Sequence, residues 1–289
     1  MRTYRELAAE DRSGLGAQVV AQRERVRRRL AGVRHTVAVM SGKGGVGKSF
    51  VTSALATVLA RGGHRVGVLD ADFHGPTAAR MLGAKGGRLA VDEDGVVPAT
   101  GTGGVRVMST DLLLAEGAPL AWNEPDHDQF VWRGVLEAGT LREFLGDVRW
   151  DALDVLLVDL PPGTDRLATL TDLAVPLAGA LAVTIPSDAS LHAVRRALAA
   201  AAKSGVRILG IVENMAGYAC GTCGTVAPLF AGDAARVLAE ASGAPVLASI
   251  PFDAAAQSAA DGGRIAEAGP AWTAISSLAA GLLARLEVA

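Results

Sequence analysis

The sequence predicts an α/β fold in which a mostly parallel sheet of seven or eight strands carries helices on both faces. Three observations predict it. A glycine-rich segment, Ser41-Gly-Lys-Gly-Gly-Val-Gly-Lys48-Ser49, stands between a short apolar run and a run of helical periodicity. Two further apolar runs, 65–70 and 153–159, each deliver an acid at their C-terminal end. Half of the residues are hydrophobic, mostly Ala, Val and Leu, while only 4% are aromatic, which suits buried parallel strands covered by helices. At 289 residues the chain is long enough to bury one large core.

Taken in order, residues 1–32 form a basic helical extension. Leu15, Val19, Val26 and Leu30 fall on one helical face, and Arg23, Arg25, Arg27, Arg28 and Arg29 crowd the rest. The expectation is a helix docked on the domain with a solvated basic face; binding of an acidic partner or nucleic acid is the competing reading. Residues 33–289 form the main domain. Its first strand is 36–40, and Val51, Leu55, Val58 and Leu59 place a helix over 50–60.

Between strand and helix, the spacing satisfies G-x-x-x-x-G-K-[ST] in full. This is the phosphate-binding loop of a P-loop NTPase. Glycines let backbone N–H groups turn toward a polyphosphate, Lys48 supplies a point charge for it, and Ser49 a hydroxyl for Mg²⁺. The strand over 65–70 ends in Asp70, followed by Asp72, and parallel strands bring such acids to one sheet edge beside the phosphates. Asp70 reads as near the metal shell or as a cap of the next helix. Residues 83–104 read as a hairpin excursion, 105–108 as a returning strand, 116–129 as a polar mobile loop, and 131–134 as the lead into a helix that ends near Gly146. The run 153–159 ends in Asp159, the Walker B arrangement, whose carboxylate holds the Mg²⁺ shell. Pro161, Pro162 and Gly163 follow in a stiff loop with one pliable point. Strands at 180–185, 206–212 and 246–250, and helices at 190–203 and 271–286, complete the domain. Asn214 carries a donor and an acceptor that match an adenine edge, and Pro251 would line the base pocket.

Lys43, directly after Gly42, resembles the deviant Walker A of the MinD, ParA and Mrp group of dimeric ATPases. The resemblance implies a homodimer that sandwiches ATP, with Lys43 reaching the partner's nucleotide. It also implies that Asp72 belongs to switch I and orients the attacking water, that Gly163 of switch II offers its N–H to the γ-phosphate, and that Asn214 reads the base. Lys43, Lys48 and Asp72 are the catalytic candidates. The nucleotide site comprises Gly42, Lys43, Gly44, Gly45, Val46, Gly47, Lys48, Ser49 and Phe50, with Asp159, Gly163, Asn214 and Pro251. Ser49, Asp70 and Asp159 are the candidates for Mg²⁺.

The two cysteines stand in Cys220-Gly-Thr-Cys223. Two thiolates cannot complete a tetrahedral site alone, but a two-fold dimer doubles them to four, the number a [4Fe-4S] cluster or a zinc ion takes. The segments SGKGGVGKS, LDAD, VWRG, VDLPPGT, VENM followed by C-x-x-C, and IPFD occur in the order of the Mrp/ApbC family of iron-sulfur cluster carrier ATPases, across residues 33–268. The resemblance implies weak ATP hydrolysis, a [4Fe-4S] cluster held between subunits by Cys220 and Cys223, and its delivery to apo iron-sulfur acceptor proteins. Two departures stand out. Asp165 follows the PPGT segment directly, and Gly-Thr replaces the Pro-containing pair between the cysteines.

Other classes fare less well. A net charge of -2 argues against a surface that binds nucleic acid globally, and the closing helix has almost no basic residue with which to grip a bilayer, against a positioning ATPase on membrane or DNA. A zinc-bridged or thiol-redox dimer keeps the same cysteines. A charged N-terminus and the absence of a long apolar run lead to the expectation of a cytoplasmic protein.

Overall fold

The structure is a computed structural model that describes residues 15–84, 89–113, 129–164, 166–265 and 267–288. Its centre is β1 (Val33–Ser41), flanked by β7 (Leu153–Asp159) on one side and β8 (Leu177–Thr184) on the other, both parallel to it. Outward from β7 lie β2 (Val66–Asp70), β6 (Arg106–Met108) and the antiparallel β5 (Ala99–Thr100). Outward from β8 lies β9 (Ile208–Ala219), which pairs with β11 (Val246–Phe252) in parallel and with β10 (Val226–Ala227) in antiparallel sense. Nine strands thus form the sheet, seven of them parallel. The two-residue strands β5 and β10 account for the excess over the expected seven or eight. The expected hairpin excursion is present as β3 (Ala90–Asp92) and β4 (Gly95–Val97), outside the main sheet. The polar segment 116–128 lies outside the described residues, as does Asp165; Gln129 already opens a helix.

Strand residues alternate between two cores because each face of the sheet is covered. Val37, Val39, Val155 and Leu157 point to one core with α2 (Lys48–Arg61), α3 (Ala78–Met81), α8 (Ala254–Asp261) and α9 (Pro270–Glu287). Ala38, Met40, Leu156 and Val158 point to the other, with α1 (Leu15–Arg29), α4 (Gln129–Asp147), α5 (Arg166–Asp172), α6 (Asp188–Lys203) and α7 (Ala234–Ser242).

The arginine-rich helix α1 is docked, through fewer residues than its periodicity suggests. Val26 and Leu30 are buried beside Leu141 and Leu145 of α4, but Val19 is 42% exposed. Three of its arginines bind the chain itself: Arg23 donates to the Asp172 carbonyl at 2.8 Å, Arg25 pairs with Asp147 at 2.7 Å, and Arg29 donates to the Gly146 and Asp94 carbonyls.

Candidate functional site: a phosphate loop and a cysteine hairpin joined by one strand

The register of the central strands sets the site. Val39 of β1 and Asp70 of β2 both stand opposite Asp159, so the two acids reach the same sheet edge as the loop leaving β1. That loop, 42–47, runs into α2. Gly42 lies so close to α6 that a Cβ would stand 2.1 Å from the Ala193 carbonyl carbon. Gly47, at φ 76°, is left-handed, and a Cβ there would meet the Asn214 amide nitrogen at 2.2 Å. Both positions therefore require glycine. The first turn of α2 has neither a side-chain cap nor an acid, leaving its N–H groups and the positive end of its dipole for an anion.

Three side chains of α2 converge on Asp159. Lys48 Nζ is 2.8 Å from its Oδ1, Ser49 Oγ donates to Oδ2 at 2.5 Å, and Thr52 Oγ1 donates to Oδ1 at 2.8 Å. Lys48 and Asp159 are both buried. The structure thus brings together Lys48, Ser49 and Asp159 as expected, and adds Thr52. One helical turn beyond Lys48, Thr52 faces β7, a placement that 3.6-residue periodicity makes readable once β7 is known to lie there. The donor set of Ser49 hydroxyl and Asp159 carboxylate is hard oxygen and fits Mg²⁺.

Of the two readings open for Asp70, near the metal shell or a cap, the hydrogen bonds present are those of a cap. Its Oδ2 accepts from the Thr77 and Ala78 N–H groups, both at 3.0 Å, and its Oδ1 from the Asp72 N–H at 3.1 Å. Complete burial, and next the charge of Asp159, push its carboxyl up to about 7, against the pull of those N–H groups. Asp72, two residues on, lines a cleft of about 330 Å³ with His74, Pro162, Gly163 and Arg166. The Gly163 N–H, expected at a γ-phosphate, is donated to the Ser41 carbonyl at 3.0 Å, with Gly163 at φ 125°. Lys43 is half-buried, and its ammonium makes no ion pair with a described residue.

Asn214 is buried, and its Nδ2 donates to the Val46 carbonyl at 2.9 Å. The amide expected to read a base thus also ties the phosphate loop through its Nδ2. Phe50, in the first turn of α2, packs against the core. Pro251 lines a cavity of about 450 Å³ with Ala216, Val226, Ser249 and Pro270. Just after Asn214, Met215 takes φ 53°, and β9 then continues beyond its pairing with β8 to Ala219.

There the cysteines cap the β9–β10 hairpin. The Cys220 N–H donates to the Thr225 carbonyl at 2.9 Å and the Gly224 N–H to the Cys220 carbonyl at 2.8 Å. Both thiols are free, and Cys223 is exposed. Backbone N–H groups of Cys223 and then Thr222 lower the Cys220 thiol below the ordinary cysteine range, since donors favour the thiolate. Among the described residues, no three His, Cys, Asp or Glu side chains gather as a metal site, so the hairpin offers two sulfurs and no third ligand. Around it Tyr218, Val226, Leu229 and Phe230 are exposed.

Comparison with known proteins agrees with this geometry. The ParA model described as "NUBPL iron-transfer P-loop NTPase" matches residues 32–282. An iron-sulfur cluster carrier protein of Saccharolobus solfataricus is 38% identical, over 85% of this chain and 80% of its own. The human cytosolic Fe-S cluster assembly factor NUBP2 is 40% identical, over 88% of this chain and 94% of its own. A nucleotide-binding protein from Archaeoglobus fulgidus, solved in complex with ADP, is 37% identical with a TM-score of 0.72, covering 87% of this chain and 95% of the other. With the phosphate loop, the two acid-ending strands and 251 matched positions from 32 to 282 in hand, the chain belongs to the ParA family of NUBPL-type iron-transfer P-loop NTPases.

Proposed function

We propose that the protein is an ATP-dependent iron-sulfur cluster carrier that works as a homodimer, holding a [4Fe-4S] cluster between subunits and handing it to apo acceptor proteins. The observation that carries this reading is the hairpin. It presents two free cysteines, one with a lowered thiol, at the exposed end of the strand whose Asn214 grips the phosphate loop. Two hairpins meeting on a two-fold axis give the four thiolates that such a cluster takes. The exposed Tyr218, Val226, Leu229 and Phe230 supply apolar surface for that meeting. Relatives at 38% and 40% identity are named for iron-sulfur cluster carriage and assembly.

On ATP binding, Lys48 exchanges the Asp159 carboxylate for phosphate oxygens, and the bare N–H groups at the start of α2 receive the polyphosphate. Ser49 and Asp159 would hold Mg²⁺, which when bound would supply positive charge beside the transferred phosphoryl group. Gly163 releases the Ser41 carbonyl and turns its N–H to the γ-phosphate, while Asp72 orients the attacking water in the adjoining cleft. Lys43, which has no ion-pair partner among the described residues, reaches the partner's nucleotide and supplies a cation in trans. Asp70 stays outside the metal shell and sets the shape of the loop that carries Asp72.

Hydrolysis returns Lys48 and Gly163 to their internal partners. Because β9 spans Asn214 and Ala219, a shift of the phosphate loop changes how the two hairpins face each other. We assign the protein to the cytoplasm, as the human relative is named cytosolic; among the described residues no helix is long and apolar enough to cross a membrane. Anaerobic reconstitution with iron and sulfide, with Cys220→Ser and Cys223→Ser beside the wild type, tests the reading.

A further inference from the structure

Glu137 is a buried carboxylate that the nucleotide chemistry leaves unused. It lies on α4 with only 4% of its side chain exposed, on the helical stripe that carries Leu141, Phe144 and Leu145 into the core. Its Oε1 is 2.5 Å from His74 Nε2, and its Oε2 pairs with the Arg166 guanidinium. His74 belongs to the loop after β2, two residues beyond Asp72. Arg166 opens α5, three residues beyond Gly163. His74 and Arg166 line the same cleft as Asp72 and Gly163.

An unpaired carboxylate at this depth is strongly disfavoured, so Glu137 keeps a partner on each oxygen only while His74 and Arg166 stay beside it. One side chain on a third element therefore has a hold on each of the two loops that approach a γ-phosphate. Neither His74 nor Arg166 can leave without stripping one carboxylate oxygen of its partner, while a turn of the Gly163 peptide leaves both contacts in place.

We propose that Glu137 is a positioning residue for ATP hydrolysis: it clasps the Asp72 loop to the Gly163 loop, so that the water-orienting acid and the phosphate-binding N–H adopt one mutual arrangement. The proposal rests on the reading of the site as an ATPase. It asks more than a structural ion pair would, because it makes each loop sensitive to a substitution in the other.

The test measures steady-state ATP hydrolysis and backbone hydrogen exchange in the wild type and in Glu137→Gln, His74→Ala, Arg166→Ala and Arg166→Lys. Glu137→Gln should lower kcat about tenfold with little change in KM for ATP, because orientation and not binding is lost. Arg166→Lys should recover much of the kcat lost in Arg166→Ala. His74→Ala should speed exchange in 160–164, and Arg166→Ala in 71–77, each about tenfold. Exchange that quickens only in the substituted loop, or an unchanged kcat in Glu137→Gln, overturns the clasp. If Glu137→Gln does not fold, the His74 and Arg166 variants decide by exchange. Should the wild type turn over no ATP at all, the ATPase reading falls, and cross-loop exchange still decides whether Glu137 joins the loops.

Discussion

Asn214 donates its side-chain N–H to the Val46 carbonyl at 2.9 Å, so the strand that ends at the cysteine hairpin also holds the phosphate loop. Val46 is itself 1% exposed, and losing the donor leaves its carbonyl without a partner, at about 1–3 kcal/mol. Asn214→Ala should therefore loosen the loop and weaken nucleotide binding about tenfold or more. Titration with a fluorescent ATP analogue checks this, and an unchanged affinity would mean that the loop holds its shape unaided.

Lys48 and Asp159 form an ion pair with both partners buried. Asp159→Asn leaves a buried ammonium without its anion, which costs about 3–5 kcal/mol in comparable pairs. The nucleotide-free variant should unfold at lower denaturant than the wild type, and Mg²⁺ should add little to its stabilisation by ATP. Denaturant melts with and without ATP and Mg²⁺ measure both effects. Equal Mg²⁺-dependent stabilisation in the two proteins would remove Asp159 from the metal shell.

Lys43 has no ion-pair partner among the described residues of its own chain. Lys43→Ala should keep ATP affinity within about twofold while hydrolysis falls by roughly 10³, the scale on which a cation supplied to a phosphoryl group in trans acts. Turnover that survives intact would exclude the trans role.

The buried Asp70 gives stability a pH dependence of definite sign. Its carboxyl is raised from 3.8 to about 7 by burial and by Asp159, so the native protein keeps a proton that the unfolded chain has released. The stabilising contribution is complete below the ordinary value and is lost as pH rises through about 7. The unfolding free energy of the wild type should contain a component that declines over that window by on the order of a few kcal/mol. Asp70→Asn should lack it. Denaturant melts of both proteins across the range decide: parallel curves would contradict the assignment.

Cys220 is the thiol expected to react first. N–H groups of Cys223 and Thr222 favour its thiolate, so iodoacetamide at neutral pH should modify Cys220 in a fast phase that Cys220→Ser abolishes. Mass mapping of the modified peptide checks the site. A fast phase that persists in Cys220→Ser would place the reactive thiol elsewhere.

Much of this site was legible because its parts are local. The phosphate loop, the apolar runs ending in Asp70 and Asp159, and the C-x-x-C pair each occupy a few consecutive residues whose spacing carries the chemistry. What escaped depends on which elements meet. Asp70 ends an apolar run like Asp159, and its place as metal ligand or cap stayed open because only the folded chain shows Thr77 and Ala78 returning to its carboxylate. Glu137 could have been noticed as an acid on the apolar stripe of Leu141 and Leu145, but nothing local names His74, 63 residues away, as its partner. Val19 shares the periodicity of Val26 and Leu30, yet periodicity does not say how far the opposing surface extends, and Val19 remains in solvent.

The most direct test is the iron content and mass of the protein after anaerobic reconstitution with iron and sulfide. The account predicts a dimer with about four iron atoms, a number set by four thiolates, and none retained in Cys220→Ser or Cys223→Ser. Iron bound by a monomer, or bound equally well once both sulfurs are gone, would contradict it.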